Sequence, residues 1–294
     1  MFAPRWLARF RFTRSFGIYT LANDASAGWL AALLESLRRQ APALEVGVIA
    51  FDDNLTKVRQ LATKYRFRIL QDETLRTLDA IGQQLSNGDE HLAHYFRKLA
   101  VFWGPFASFL YLDSDIVVTG PLDRLIEAST ASAAEFLYQD ADHDWVYKPG
   151  ALRDKMLASY DFRGFNSGCF FSWRGMLTLR DVTDLAKEAF PVRNDFMPSE
   201  QPFLNYCVDV RRLKVQAFWE ALPEVATKSW AKLAYEEYEG ALRLVEPGFN
   251  GFGKPVPWLH WAGFQLGETM PNRDLWLRYG GAGDLDQAGG PPPR

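Results

Sequence analysis

Apolar residues fall in two alternating rhythms along the first two thirds of the chain. Phe16 to Ala22 is an almost continuous apolar run, as in a buried strand. Asn23-Asp24-Ala25-Ser26 then supplies turn and cap side chains, and Trp29, Leu30, Leu33, Leu34 and Leu37 recur at helical spacing. The unit repeats. Leu44 to Phe51 reads as a strand, a polar stretch from Asp52 leads into a helix through Lys64, and Phe67 to Leu70 reads as a short strand. His91 to Trp103 puts Leu92, Tyr95, Phe96, Leu99, Phe102 and Trp103 on one helical face, and Gly104-Pro105 stops it before the apolar strand Phe109 to Leu112. Ala133 to Tyr138 and Phe165 to Trp173 read as strands, Asp181 to Phe190 and Glu200 to Val208 as helices. Such alternation predicts an α/β fold around a parallel, doubly wound sheet.

With 294 residues, 48% of them hydrophobic, the chain has enough apolar side chain for one large α/β domain, and no stretch reads as an internal linker or a repeat. The expected division is a basic and aromatic extension over 1–15, a single domain over 16–279 and a disordered tail over 280–294. In the extension, Arg5, Arg9, Arg11 and Arg14 interleave with Phe2, Trp6, Phe10 and Phe12. It either packs its aromatics on the domain or rests on an anionic membrane surface, which would put the protein at the inner face of the membrane. A net charge of −3 is too near neutral to imply a polyanion partner, so no nucleic-acid partner is expected. Cys169 and Cys207 lie in apolar surroundings that suit buried thiols. With no secretion signal and no long apolar span, the expected location is the cytoplasm.

The chemistry concentrates after one strand. Phe109-Leu110-Tyr111-Leu112-Asp113-Ser114-Asp115-Ile116-Val117-Val118 is apolar on both sides of two acids. Desolvated carboxylates are costly without a compensating partner. A hard divalent cation such as Mg²⁺ or Mn²⁺ takes one or two carboxylates and completes its shell with water and substrate phosphate. Two other readings of Asp-x-Asp stay open from the residues alone: a capped turn, and a haloacid-dehalogenase-type phosphatase with Asp113 as nucleophile. The latter fold normally begins with its Asp-bearing strand, whereas here about a hundred residues of α/β pattern come first.

Taken with further segments in the same order, the pattern resembles glycosyltransferase family 8 and its GT-A relatives. Ile18-Tyr19-Thr20-Leu21-Ala22-Asn23-Asp24 resembles the first strand and loop that hold the nucleoside. Phe96-Arg97-Lys98-Leu99 resembles the segment that sends a basic side chain toward the donor, and Phe165-Asn166-Ser167-Gly168 the strand that lines the sugar site. Glu200-Gln201 is similar to the acidic-Gln pair on the next helix, and Trp258-Leu259-His260-Trp261-Ala262-Gly263 to a late His-x-x-Gly element. The resemblance spans about residues 16 to 263 and implies a GT-A fold, a single Rossmann-like domain with a mixed, mostly parallel sheet. It implies a retaining, metal-dependent transferase that uses a UDP-sugar and an acceptor of glycan, lipid or small-molecule type. Its metal ligands would be Asp113, Asp115 and His260, holding Mn²⁺ or Mg²⁺. Thr20, Ala22, Asn23, Asp24, Ser114, Asn166, Ser167 and Gly168 would bind the donor, and Lys98, Glu200 and Gln201 would be catalytic.

One feature departs from the family. A Lys that grips the diphosphate normally follows His-x-x-Gly, but Phe264-Gln265-Leu266-Gly267-Glu268 has no cation. Lys254 and the Gly248 to Gly253 stretch are candidates to compensate. The same departure motivates a second reading, a non-catalytic GT-A protein that binds nucleotide or sugar without transfer. Acceptor contacts are expected in Asp140 to Arg163.

Overall fold

In a computed structural model, the structure describes residues 16–141, 143–160 and 162–280. The extension 1–15, Asp142, Asp161 and the tail beyond Gly280 lie outside the described residues. The strands are β1 Phe16–Ala22, β2 Glu45–Ala50, β3 Arg68–Leu70, β4 Ser108–Leu112, β5 Ile116–Val118, β6 Phe136–Tyr138, β7 Cys169–Trp173, β8 Val215–Ala217, β9 Tyr235–Tyr238, β10 Ala241–Leu244 and β11 Trp258–His260. The helices are α1 Ala27–Gln40, α2 Thr56–Tyr65, α3 Thr74–Leu85, α4 Glu90–Tyr95, α5 Asp123–Ala131, α6 Ala151–Ser159, α7 Leu179–Ala189, α8 Gln201–Val210, α9 Phe218–Ala221 and α10 Arg273–Gly280.

Seven strands form one sheet in the order β3-β2-β1-β4-β7-β6-β8. The β1 to β4 half is parallel, as the strand-helix alternation requires, whereas β7 runs antiparallel to both β4 and β6. The mixed, mostly parallel sheet that the family resemblance implies is therefore present, where the strand-helix pattern alone pointed to a parallel one. The central strands are apolar throughout because both faces are covered. Tyr19, Phe109, Tyr111 and Phe170 pack in one core cluster; Ile18, Leu110, Leu112 and Phe171 pack in a second. Trp29 of α1, Trp261 and Trp276 of α10 nucleate a third. Gly280, assigned to the tail by composition, is instead the buried last residue of α10, where a Cβ would lie 2.8 Å from Ala32 Cβ. Both cysteines are buried and free.

Two boundaries differ from expectation for physical reasons. The single helix expected over His91 to Trp103 is a short α-helix followed by a 3₁₀ helix, Phe96–Trp103. Three residues per turn stack Phe96, Leu99 and Phe102 in one row. That row meets Phe203, Phe109 and Phe170, while Arg97 and Lys98 are buried on other rows. His91 and His94 pack against Phe51, so they share no solvated stripe with Lys98. The strand expected from Phe165 begins only at Cys169, since Asn166 to Gly168 turn back on themselves through a 2.8 Å bond from the Gly168 amide to Asn166 Oδ1.

Candidate functional site

Strand pairing brings the acids and the histidine together. Asp113 follows the last residue of β4, and its amide donates to Gly168 O at 2.8 Å, which prolongs the β4–β7 ladder into the turn. Asp115 directly precedes β5. β5 pairs antiparallel with β11 in a separate two-stranded ribbon that sets His260 opposite Ile116. A bond from the Trp261 amide to Asp115 O, 3.0 Å, closes the ribbon. His260, 147 residues after Asp113 in sequence, thus stands 3.2 Å from Asp115 Oδ1 and 3.8 Å from Asp113 Oδ2 through Nε2. One ligand atom from each of the three lies within 4.8 Å of the others.

This donor set fits a hard divalent cation. Asp115 Oδ1 is buried and accepts no well-aligned hydrogen bond; it faces His260 Nε2 at 3.2 Å, an arrangement that an oxygen-seeking ion between them would relieve. Gly168 leaves the space that a side chain would fill, since a Cβ there would lie 2.6 Å from Asp113 Oδ2. Burial opposes protonation of His260, but the Asp115 and Asp113 carboxylates outweigh it and raise its pKa.

Lys98 is the second organiser. Its ammonium is almost fully buried and lies 2.6 Å from Glu200 Oε1 and 3.2 Å from Asp113 Oδ1. It also donates to Ser167 O and Oγ, both at 3.3 Å, and sits over the Tyr111 ring. Burial works against the ammonium, yet Asp113 and Glu200 hold its pKa above the ordinary lysine value. Tyr111, whose pKa burial and then Asp113 push far up, donates to Asp113 Oδ1 at 2.7 Å. Lys98 is therefore committed to protein carboxylates rather than left facing the solvent.

The remaining predicted residues divide. Glu200 is buried and accepts from Ser167 Oγ at 2.7 Å. Gln201, next along, accepts through Oε1 from Asn166 Nδ2 at 3.1 Å and the Ser167 amide at 3.0 Å, and donates through Nε2 to Trp145 O. Ser114 is half-buried in the turn between the acids. Asn166, Gln201 and His260 line a cleft of about 450 Å³. Asn23 and Asp24 line a different, more open cleft of about 780 Å³ with Phe51, Asp52, His91 and His94. Asn23 Nδ2 donates to Asp52 Oδ2 and its Oδ1 accepts from the Ala25 and Ser26 amides. Asp24 caps not the adjoining helix α1 but α2, accepting from the Lys57 and Val58 amides. Thr20 and Ala22 are interior; the Thr20 hydroxyl finds no partner, and Ala22 O accepts from the Phe51 amide.

Of the stretch Asp140 to Arg163, Ala141 and Trp145 reach the His260 cleft. Lys148 turns away to Asn194 O. Lys254 does not reach the cleft either, because its ammonium donates to Pro223 O at 2.6 Å. Sequence reading missed Lys228, Trp230 and Lys232 around His260, and named Asp140 only as the start of the acceptor-contact stretch. The Trp230 ring stacks on the His260 ring at 5.4 Å. It also missed Asp79, which receives two hydrogen bonds from the Arg97 guanidinium, at 2.7 and 2.6 Å. Arg97 in turn reaches Ala50 O at the end of β2.

No protein-family model and no curated protein sequence matches the chain. Solved structures do. The chain is similar to galactosyltransferase LgtC, solved in complex with donor and acceptor sugar analogs, with a TM-score of 0.59 and 16% identity over 90% of this chain and 95% of that one. It is similar to the bifunctional glycosyltransferase WbbM in its apo form, with a TM-score of 0.56 and 13% identity; 93% of this chain is covered but 51% of the other. The apo form of the glycosyltransferase GlyE from Streptococcus pneumoniae TIGR4 gives a TM-score of 0.51 at 13% identity, covering 91% of this chain and 60% of that one. The fold is that of the GT-A glycosyltransferases. No helix among the described residues is long and apolar enough to cross a membrane.

Proposed function

We propose that the protein is a metal-dependent glycosyltransferase that moves a sugar from a nucleoside-diphosphate donor, a UDP-sugar, to an acceptor hydroxyl with retention of configuration. The observation that carries this reading is the convergence of Asp113, Asp115 and His260 beyond β4 of a GT-A sheet, with the buried Asp115 Oδ1 facing His260 Nε2. Mn²⁺ or Mg²⁺ would be held by these three residues, and when bound it supplies the charge that stabilises a departing diphosphate.

The chain's own residues prepare that setting. Tyr111 and Lys98 fix Asp113 from one side, so its outer oxygen is oriented before any ligand arrives. Lys98 neutralises Glu200 within the protein, which lowers repulsion toward an anionic donor. Asn166 and Gln201 hold each other's amides and present the cleft with polar groups suited to sugar hydroxyls. The open cleft at Asn23, Asp24 and Asp52 offers carboxylates for ribose hydroxyls and the Phe51 ring for a base. Retention and the uridine nucleotide follow the family resemblance. The LgtC structure was solved with donor and acceptor sugar analogs, which supports reading this fold as one that takes both.

Calorimetric titration of UDP, UDP-sugars and other nucleotides with and without Mn²⁺ tests the reading. Metal-dependent UDP binding followed by sugar transfer is expected. The absence of nucleotide binding in every condition would overturn it. Binding without turnover across a wide acceptor set would favour the non-catalytic reading, and phosphate release from a simple phosphoester the phosphatase one.

A further inference from the structure

The site described above is short of cations for a diphosphate. Asp113 and Asp115 balance a divalent ion, and Glu200 takes up Lys98. The donor's own negative charge then has no counterpart from Phe264 to Glu268, and Lys254 is bonded to Pro223 O. Two other lysines do line the cleft beside His260: Lys228 and Lys232. Both come from one segment that is tied to the histidine through the backbone. The His260 amide donates to Ser229 O at 2.9 Å, the Ala231 amide donates to His260 O at 2.8 Å, and Trp230 between them stacks on the imidazole. Their placement is thus fixed by the same strand that delivers the third candidate ligand.

Lys228 is also held from below. Its ammonium donates to Ala141 O at 3.1 Å and lies 3.8 Å from Asp140 Oδ1. Asp140 is 3% exposed; its second oxygen accepts from Ser229 Oγ at 2.7 Å, and Oδ1 accepts no hydrogen bond. A buried carboxylate beside a loosely held ammonium orients that ammonium while leaving N–H groups for a ligand. Lys232 is exposed and, among the described residues, makes no ion pair. We propose that Lys228 and Lys232 grip the diphosphate of the donor from the His260 side of the cleft, with Asp140 as the positioning residue for Lys228. The proposal rests on the nucleoside-diphosphate reading above.

The test is calorimetry at fixed Mn²⁺ with two probes, UDP and uridine, on the wild type, Lys228→Ala, Lys232→Ala, the double lysine variant, Asp140→Asn, and Asp140→Asn combined with Lys228→Ala. Loss of one charge-assisted contact is expected to weaken UDP roughly tenfold, and loss of both roughly a hundredfold. Uridine, which lacks the diphosphate, should bind all variants equally. Asp140→Asn should weaken UDP in the wild-type background and add nothing to Lys228→Ala, since a positioning residue acts only through its partner. Equal UDP affinity in the double lysine variant and the wild type would overturn the proposal, as would a parallel loss of uridine, which marks a structural role. Failure of the wild type to bind either probe would instead overturn the donor reading itself.

Discussion

Gly168 faces His260 with no room for a methyl group between them. A Cβ on residue 168 would lie 2.6 Å from Asp113 Oδ2, 2.8 Å from Asn166 Oδ1 and closer still to His260 Cε1. The imidazole cannot swing aside cheaply, because it is buried and stacked on Trp230. Gly168→Ala is therefore expected to push His260 and Asp113 apart and to cost about 1–3 kcal/mol of stability through overpacking. Metal-dependent nucleotide binding should fall far more than stability does. Urea unfolding and calorimetry on the same preparation separate the two effects, and a variant that binds nucleotide like the wild type would refute the account of this glycine.

The carboxylates make a metal-linked prediction that requires no substrate. If Asp113, Asp115 and His260 hold Mn²⁺, saturating metal should raise the melting temperature, because a ligand at a hundred times its dissociation constant adds about 2.7 kcal/mol. For a chain of this size that corresponds to roughly 4 °C. Asp115→Asn, which keeps the shape but removes a charge, should abolish the rise. Melting curves with and without Mn²⁺ decide it, and an equal rise in the variant would place the ion elsewhere.

Lys98 and Glu200 form a pair whose side chains are each 3% exposed, so removing one partner strands the other. Lys98→Met is expected to destabilise by about 3–5 kcal/mol, since Glu200 would remain as a buried uncompensated charge. Adding Glu200→Gln should restore much of that loss. The double variant should nevertheless bind donor poorly, because Asp113 loses its Lys98 contact in both proteins. Chemical denaturation of the single and double variants gives the coupling directly, and additive losses would mean the two side chains do not depend on each other.

How far the sequence anticipates this site depends on the kind of contact that builds each part. The central sheet is legible because each of its parallel strands is an apolar run followed by an amphipathic segment. Asp113 and Asp115 stand out because acids interrupt such a run. His260 is different. It sits in β11, three residues long, whose pairing partner β5 is equally short and more than 130 residues earlier. No periodicity marks strands of that length, and only the family resemblance pointed to the residue. The engagement of Lys98 with Glu200, and the cap that Asp24 gives to α2 rather than to α1, depend on packing that spacing does not encode. Lys228 and Lys232 were hidden for a related reason: their segment carries no motif, and long-range bonds to β11 and to Asp140 bring it to the cleft.

Asp79 and Arg97 give the molecule an acid-sensitive brace behind the open cleft. Burial alone would raise the Asp79 pKa, but the hydrogen bonds from Arg97 and His94, with the Arg97 charge, leave it below the ordinary value of 3.8. A carboxylate whose folded pKa is depressed stabilises the protein at pH values above its unfolded pKa, and that contribution disappears as pH falls through the folded value. The brace should hold at neutral pH and weaken as pH falls from the ordinary carboxylate value toward the lower folded one, which loosens the tie between α3 and the Phe96–Trp103 helix. Asp79→Asn should lower stability at neutral pH, by leaving the buried Arg97 without its carboxylate, and should flatten the decline between pH 5 and pH 3. Denaturation midpoints measured across that range for both proteins test the sign. A variant whose stability falls as steeply with acid as the wild type's would assign the acid sensitivity to other carboxylates.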